Sequence, residues 1–402
     1  MFTPQELDRY AQVMIWGMKK ARRDPFVQSD IVLIRTDKSS VPLANLVYEK
    51  LIHMDLNPVI RINLPELMEK TFFANAGDRQ LEFKVPGDGE LYSALNGLIS
   101  LLGPESLTHL RDVDPSRIGK YAVTKKYLRD ILENRENKGL FGWSLCLYPT
   151  AELASKAGMD LEEYKNQIVR AVYLDRDDPA AVWQGIFEKS NRVKNWLDSQ
   201  DVEYFHILSE NTDLRVYPGI KRRWLGVSGH NIPSFELFLS PDCRKTSGVY
   251  YADQPSYRSG NYVRGVRLEF KEGRVISSSA REGEDFLNKQ MALDSGASYL
   301  GEFSLTDKRF SRIDKFMAHT LYDENFGGDN GNCHVALGAS YADTYASDAR
   351  ELTSELKKEL GFNDSALHWD LVSTEKKTVH AFLNNGDRLT IYAEGMFTME
   401  HI

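Results

Sequence analysis

The apolar positions change their spacing along the chain, and that change is the first structural signal. Thr3-Pro4-Gln5-Glu6 forms a capping box with proline at the first helical position, so an amphipathic helix is expected from there to about Arg23. The run D-I-V-L-I-R-T then reads as a strand, P-L-A-N-L-V-Y-E-K-L-I-H as a helix and P-V-I-R-I-N-L as a second strand. Strand, helix and strand in that order predict a right-handed βαβ unit with a parallel pair. Residues 119 to 200 read mainly as helix, interrupted by the apolar run L-F-G-W-S-L-C-L-Y-P. Trp183, Ile186, Phe187 and Trp196 fall near helical spacing there, as core positions do. From about residue 205 onward short alternating segments dominate. Y-V-R-G-V-R-L-E-F-K-E-G-R-V-I-S-S-S predicts two strands joined at K-E-G-R as a hairpin. The fold class expected is α/β, divided near residue 225. Residues 1–225 form an α/β domain built on the βαβ scaffold, and residues 226–402 an α+β domain with a largely antiparallel sheet.

A chain of 402 residues exceeds what one ordinary hydrophobic core organises, which agrees with two domains. Composition narrows the function more by exclusion than by assertion. Apolar residues at 42% and charged residues at 27% describe a globular chain. A net charge of −8 with no basic block argues against nucleic acid, because phosphate contacts need clustered Lys and Arg. The charged amino terminus does not match a signal peptide, and no segment approaches the ~20 apolar residues of a membrane span, so a cytoplasmic location without membrane partners is expected. Cys146, Cys243 and Cys333 stand far apart, which indicates neither a disulfide framework nor a zinc ribbon. The strand-to-helix turn T-D-K-S-S-V-P lacks the glycines that bring backbone against a pyrophosphate. The βαβ unit therefore reads as scaffold.

The candidate chemistry lies downstream. Six of the nine histidines follow residue 229: His230, His319, His334, His368, His380 and His401. In A-L-H-W-D-L-V, alternation puts Leu367, Trp369 and Leu371 on one strand face and His368, Asp370 and Val372 on the other. Imidazole and carboxylate then point to one place, either as a self-satisfied pair or as ligands of a divalent metal. G-N-C-H-V-A-L-G-A-S-Y adds His334 and Tyr341, with glycines at 331 and 338 that permit close approach, while Cys333 faces away from His334. The preceding D-E-N-F-G-G-D-N-G-N fails as a calcium loop, since its fifth and twelfth positions are Gly327 and His334. Glu324, just upstream of that loop, reads either as a surface acid or as a ligand. Glu236 sits between Phe235 and Leu237, and Glu302 between Gly301 and Phe303. Each reads either as a solvated position or as a buried carboxylate that must be neutral, paired or bound to metal.

Taken together, N-I-P-S-F-E, Y-L-G-E-F, L-Y-D-E-N, C-H-V-A-L-G-A-S-Y and L-H-W-D resemble, in this order and at these separations, the thermophilic metalloprotease family of aminopeptidases, typified by aminopeptidase T and aminopeptidase S. W-S-L-C-L-Y-P-T-A-E-L-A, D-D-P-A-A-V-W, N-T-D-L-R-V and R-L-E-F-K-E-G-R-V also resemble family segments, so the likeness covers most of the chain and is weakest in the first ~120 residues. It implies two unlike α/β domains, the second carrying the metal site, in a homodimer. Carried onto this sequence it implies metal ligands at Glu236, Glu302, His334, His368 and Asp370, with Glu302 bridging two ions. Glu324 matches a further acidic position and Tyr341 the active-site tyrosine. Two departures stand out: Phe235 replaces a glycine found in many relatives, and the loop from Phe326 to Asn332 is longer than usual.

The resemblance implies hydrolysis of the amino-terminal peptide bond of short peptides with a free amino terminus. Two divalent ions (zinc, cobalt, manganese or magnesium) ~3.5 to 4 Å apart would share a water, lower its pKa and polarise the carbonyl. Tyr341 would donate to the developing oxyanion, and a carboxylate such as Glu302 or Glu324, or Tyr341 itself, would serve the proton transfer to the leaving amine. The same ligand set also suits a dinuclear amidase or phosphoesterase.

Overall fold

The computed structural model describes residues 1–258, 261–348 and 351–400. His401 lies outside the described residues. The chain has a mixed α/β fold with one parallel and several antiparallel sheets. It divides into two compact units, one of Met1–Trp183 with Ser228–Pro233, the other of Gln184–Val227 with Ser234–Ile402.

In the first unit the capping box is present. The Thr3 side chain accepts from the Glu6 N–H, the Glu6 carboxylate accepts from the Thr3 N–H, and the helix runs Pro4–Ala21. The βαβ reading holds as well: strands Ile31–Thr36 and Asn57–Ile62 are parallel, with helix Val41–Ile52 between them. The five strands lie in the order Asn57–Ile62, Ile31–Thr36, Leu95–Leu102, Gly142–Leu147, Asn231–Ile232, and all pairs are parallel. Val32, Leu33 and Ile34 are fully buried because a central parallel strand is covered on both faces.

The second unit stacks two antiparallel sheets. The larger one has eight strands, with Val202–Leu208 and Thr378–Leu383 at its middle and the hairpin Val266–Lys271/Arg274–Ser279 at one edge. The hairpin turns through Glu272 and Gly273, both at positive φ, as a tight turn between right-twisted strands requires. The smaller sheet has four strands in the order His368–Ser373, Asn332–Gly338, Leu300–Thr306, Glu236–Leu239. Tyr250 of the larger sheet reaches the carbonyls of Cys333 and Leu371 at 2.9 and 2.7 Å, and the Tyr392 hydroxyl donates to that of Thr306 at 2.7 Å. Phe303 packs on Phe205 of the larger sheet, with ring centroids 5.6 Å apart. Every residue of Leu300–Thr306 and of Asn332–Gly338 is buried, so the smaller sheet is covered on both sides. Among the described residues no helix is long and apolar enough to cross a membrane.

Candidate metal centre

Period-two alternation and strand register together build the site. Phe303 faces the larger sheet, so Glu302 and Ser304 face the other way. Across the ladder Glu302 lies opposite Ala336, Ala336 opposite Asp370, Ser304 opposite both His334 and Phe238, and His368 opposite Gly338. Residues opposite one another share a face. Glu302, His334, His368 and Asp370 therefore emerge on one side of the smaller sheet, and Glu236, two residues from Phe238 on the outer strand, joins them.

A β-bulge decides where Glu302 points. Leu300 opposes Leu337 whereas Glu302 opposes Ala336, which leaves Gly301 as the extra residue. Without it, Leu300 and Glu302 would share a face; with it, Leu300 is packed and Glu302 is turned to the site. Glycine is required there, because a Cβ at position 301 would run into the carbonyls of Ala339 and Gly338. Gly338 itself holds φ at +103°, with the Leu367 carbonyl where a side chain would stand.

The side chains converge closely. His334 Nε2 lies 3.0 Å from Glu302 Oε1, 3.2 Å from Glu236 Oε2 and 4.0 Å from Asp370 Oδ1. His368 Nε2 lies 3.4 Å from Asp370 Oδ1 and 3.7 Å from Glu302 Oε2. Ligand atoms of Glu236, Glu302 and His334 all fall within 4.8 Å of one another. The His368 ring is fixed by Nδ1, which lies 2.9 Å from the Ala339 carbonyl, so Nδ1 carries the proton and Nε2 faces the carboxylates. Tyr341 stands over His368 with ring centroids 4.7 Å apart and touches Phe238 on its other side at 5.6 Å. The Tyr341 N–H is tied to Ser240 Oγ at 2.8 Å.

Glu324 follows the short helix Thr320–Asp323 and is buried, and it is linked to Glu236 through the Asn325 side chain, which donates to Glu324 Oε1 and accepts from the Glu236 N–H. Phe235, the departure noted in the sequence, is fully buried, and Asn332 closes the long loop by donating to the Glu324 and Phe326 carbonyls at 3.0 and 2.7 Å. Sequence reasoning missed Ser304 and Asn325. Ser304 donates to Glu236 Oε2 at 3.3 Å, and its signal was its place two residues after Glu302 on the same face. Asn325 follows Glu324 directly and hydrogen-bonds it.

Electrostatics shows why the cluster suits a cation. Burial first, then the Glu236 charge, pushes the Glu302 carboxyl up to about 7, against the opposing pull of His334. Burial, with Glu236 and Asp370, holds Glu324 well above the usual carboxylate range. Burial would lower both imidazoles, yet the carboxylates of Glu236 and Glu302 carry His334 well above its ordinary value and Asp370 carries His368 to about 9. Asp370 resists its own burial and falls to about 2 through the charge and hydrogen bond of His368. Glu302 and Glu324 are thus pushed toward their neutral forms by burial and neighbouring acids, while Asp370 stays ionised beside His368. The Nδ1 of His334 is also buried without a hydrogen-bond partner among the described residues. Oxygen and imidazole donors in excess of local positive charge are the donor set that divalent cations take.

Comparisons with known proteins point to a metalloprotease. The family model described as thermophilic metalloprotease (M29) matches residues 3–397. The chain is 28% identical over 312 residues to aminopeptidase 2 of Geobacillus stearothermophilus, covering 72% of this chain and 73% of that protein. It is 27% identical over 266 residues to aminopeptidase AmpS of Bacillus subtilis strain 168, covering 63% of this chain and 62% of that protein. Wild-type AmpT from Thermus thermophilus has a similar fold, with a TM-score of 0.81 over 98% of this chain and 99% of that chain at 19% identity.

Proposed function

Since the chain belongs to the thermophilic metalloprotease (M29) family, we propose that it is a metal-dependent aminopeptidase whose centre holds two divalent cations and removes the first residue of short peptides. The observation that carries this reading is the convergence of Glu236, Glu302 and His334 within 4.8 Å, with His368 and Asp370 on the adjoining strand. Glu236, Glu302, Glu324, His334, His368 and Asp370 are the ligands in this reading, and zinc, cobalt, manganese and magnesium the cations their donor set admits. Such cations supply Lewis acidity to the scissile carbonyl and lower the pKa of water.

The remaining chemistry belongs to the chain. A carboxylate of the cluster, Glu302 or Glu324, or the Tyr341 hydroxyl, would pass the proton to the leaving amine. Tyr341 keeps its proton, because burial and the charges of Glu302, Asp370 and Glu324 raise its pKa. A neutral phenol donates, and one such donor to an oxyanion contributes about 2.7 to 4 kcal/mol. His368 is held by the Ala339 carbonyl, which fixes the face its Nε2 presents. The same proposal assigns catalysis to residues 226–402 as an α+β domain and scaffolding to residues 1–225, in a cytoplasmic homodimer.

The test combines metal analysis with a substrate pair. Purified protein should contain divalent metal and hydrolyse leucine p-nitroanilide but not its N-acetylated form. Chelation should stop hydrolysis, and zinc or cobalt should restore it. Equal rates on both substrates, or indifference to chelation, would overturn the reading.

A further inference from the structure

Asn325 is fully buried, and both ends of its amide are in use. Its Oδ1 accepts from the N–H groups of Phe235 and Glu236 at 2.5 and 3.1 Å. Its Nδ2 donates to the Leu321 carbonyl at 3.0 Å and to Glu324 Oε1 at 3.4 Å. One side chain therefore joins the start of the Glu236–Leu239 strand to the carboxylate that follows the Thr320–Asp323 helix. We infer that Asn325 is the positioning residue that sets Glu236 and Glu324 as a pair in the metal centre, an inference that rests on reading those two carboxylates as ligands.

The geometry explains why this position calls for asparagine. Glu236 opens its strand opposite Thr306, so its backbone at that end has a single ladder neighbour in the smaller sheet. The Asn325 oxygen satisfies the N–H of Glu236 from outside the ladder and fixes the angle at which its side chain leaves the strand. Glu324 lies on no strand, and nothing periodic directs its side chain toward the cluster. The Asn325 N–H supplies that direction, while the backbone beneath is strapped by Thr306 and Asn332 to the Glu324 carbonyl. Aspartate could keep both acceptor bonds but would set an oxygen against Glu324 Oε1 and the Leu321 carbonyl. Leucine would fill the space and make neither set of bonds. Glutamine carries one more methylene into a fully buried position and shifts both ends of the amide.

The experiment measures zinc affinity of the full chain by competition with a chelating dye, alongside thermal unfolding in excess chelator. Asn325→Asp and Asn325→Leu should each weaken zinc binding about 10- to 100-fold, the usual effect of removing a partner that orients a ligand. Asn325→Asp retains the bonds to Phe235 and Glu236 but buries a carboxyl beside Glu324, so zinc affinity is read well below each variant's own unfolding midpoint in chelator. With saturating zinc, both variants should lose kcat on leucine p-nitroanilide with little change in KM. Parental affinity in both variants would overturn the inference while leaving the aminopeptidase reading intact, and so would a loss confined to stability. If the parent chain itself binds no zinc, cobalt, manganese or magnesium, the ligand reading fails and this inference with it.

Discussion

Glu302 Oε1 and His334 Nε2 meet at 3.0 Å although neither residue is the other's ladder partner. Glu302 is opposite Ala336 and His334 is opposite Ser304, so the contact is diagonal across two neighbouring strands. A diagonal contact of this kind is sensitive to register. Its distance depends on the one extra residue that the bulge inserts at Gly301.

Gly301→Ala tests that dependence. The added methyl meets the carbonyls of Ala339 and Gly338, so either the bulge shifts or the two strands part. Destabilisation of about 1 to 3 kcal/mol is expected, as for other overpacked sites. A loss of metal affinity should persist at temperatures where the variant is folded. Denaturant melts and zinc competition measure the two effects, and a fully active Gly301→Ala chain would remove the bulge from the account.

His368→Ala should abolish measurable turnover and lower metal occupancy. The side chain is more than half buried at the cluster and makes its Nδ1 bond outside it, so its removal leaves the first unit's parallel sheet untouched. Metal analysis, peptidase rate and circular dichroism together check this. Full occupancy with normal turnover would exclude the imidazole from the centre.

Tyr341→Phe should retain metal and lose rate. Removing a single oxyanion donor lowers kcat about 10²- to 10³-fold in enzymes where it has been isolated. Because the phenyl ring keeps its place between Phe238 and His368, KM should change little. Unaltered kcat would take the hydroxyl out of the mechanism.

Lys377 gives a prediction away from the site. Its Nζ is buried without a hydrogen-bond partner among the described residues, and burial drives its pKa from 10.5 down to about 8. Below pH 8 the lysine is charged in both folded and unfolded chains, and the folded chain carries the full desolvation cost, on the order of 3 kcal/mol. Between pH 8 and 10.5 the folded lysine is neutral while the unfolded one is still charged, so the cost shrinks as pH rises. Lys377→Met should therefore stabilise the chain at pH 7 and gain progressively less toward pH 10. Urea melts of both chains at the two pH values measure it; an equal or negative difference at pH 7 refutes it.

Much of this architecture was legible before any coordinates. The capping box, the βαβ unit, the hairpin and the shared face of His368 and Asp370 follow from local rules of spacing, and each is present. Glu236 and Glu302 were harder. Taken singly, a carboxylate flanked by apolar residues is as easily solvated as buried, and only the two-sided cover of the smaller sheet shows that both are enclosed. The bulge at Gly301 was not readable, because alternation alone cannot say whether a glycine occupies a pleat or interrupts it. Asn325 was invisible for a different reason. Its partners lie about 90 positions upstream, and a local motif carries no information about which distant N–H groups it will meet.

The tyrosines that brace the smaller sheet from behind divide it into regions of unequal tolerance. Tyr250 and Tyr392 clamp backbone carbonyls of its strands, so exchange of those strands with a relative's would demand matching hydroxyl reach on the opposite layer. The segments beyond the strand ends carry no such obligation toward that layer. The exception is the segment 339–341, which lies beyond a strand end yet holds the His368 ring through the Ala339 carbonyl and sets Tyr341 over it, so that segment is as exacting as the braced strands.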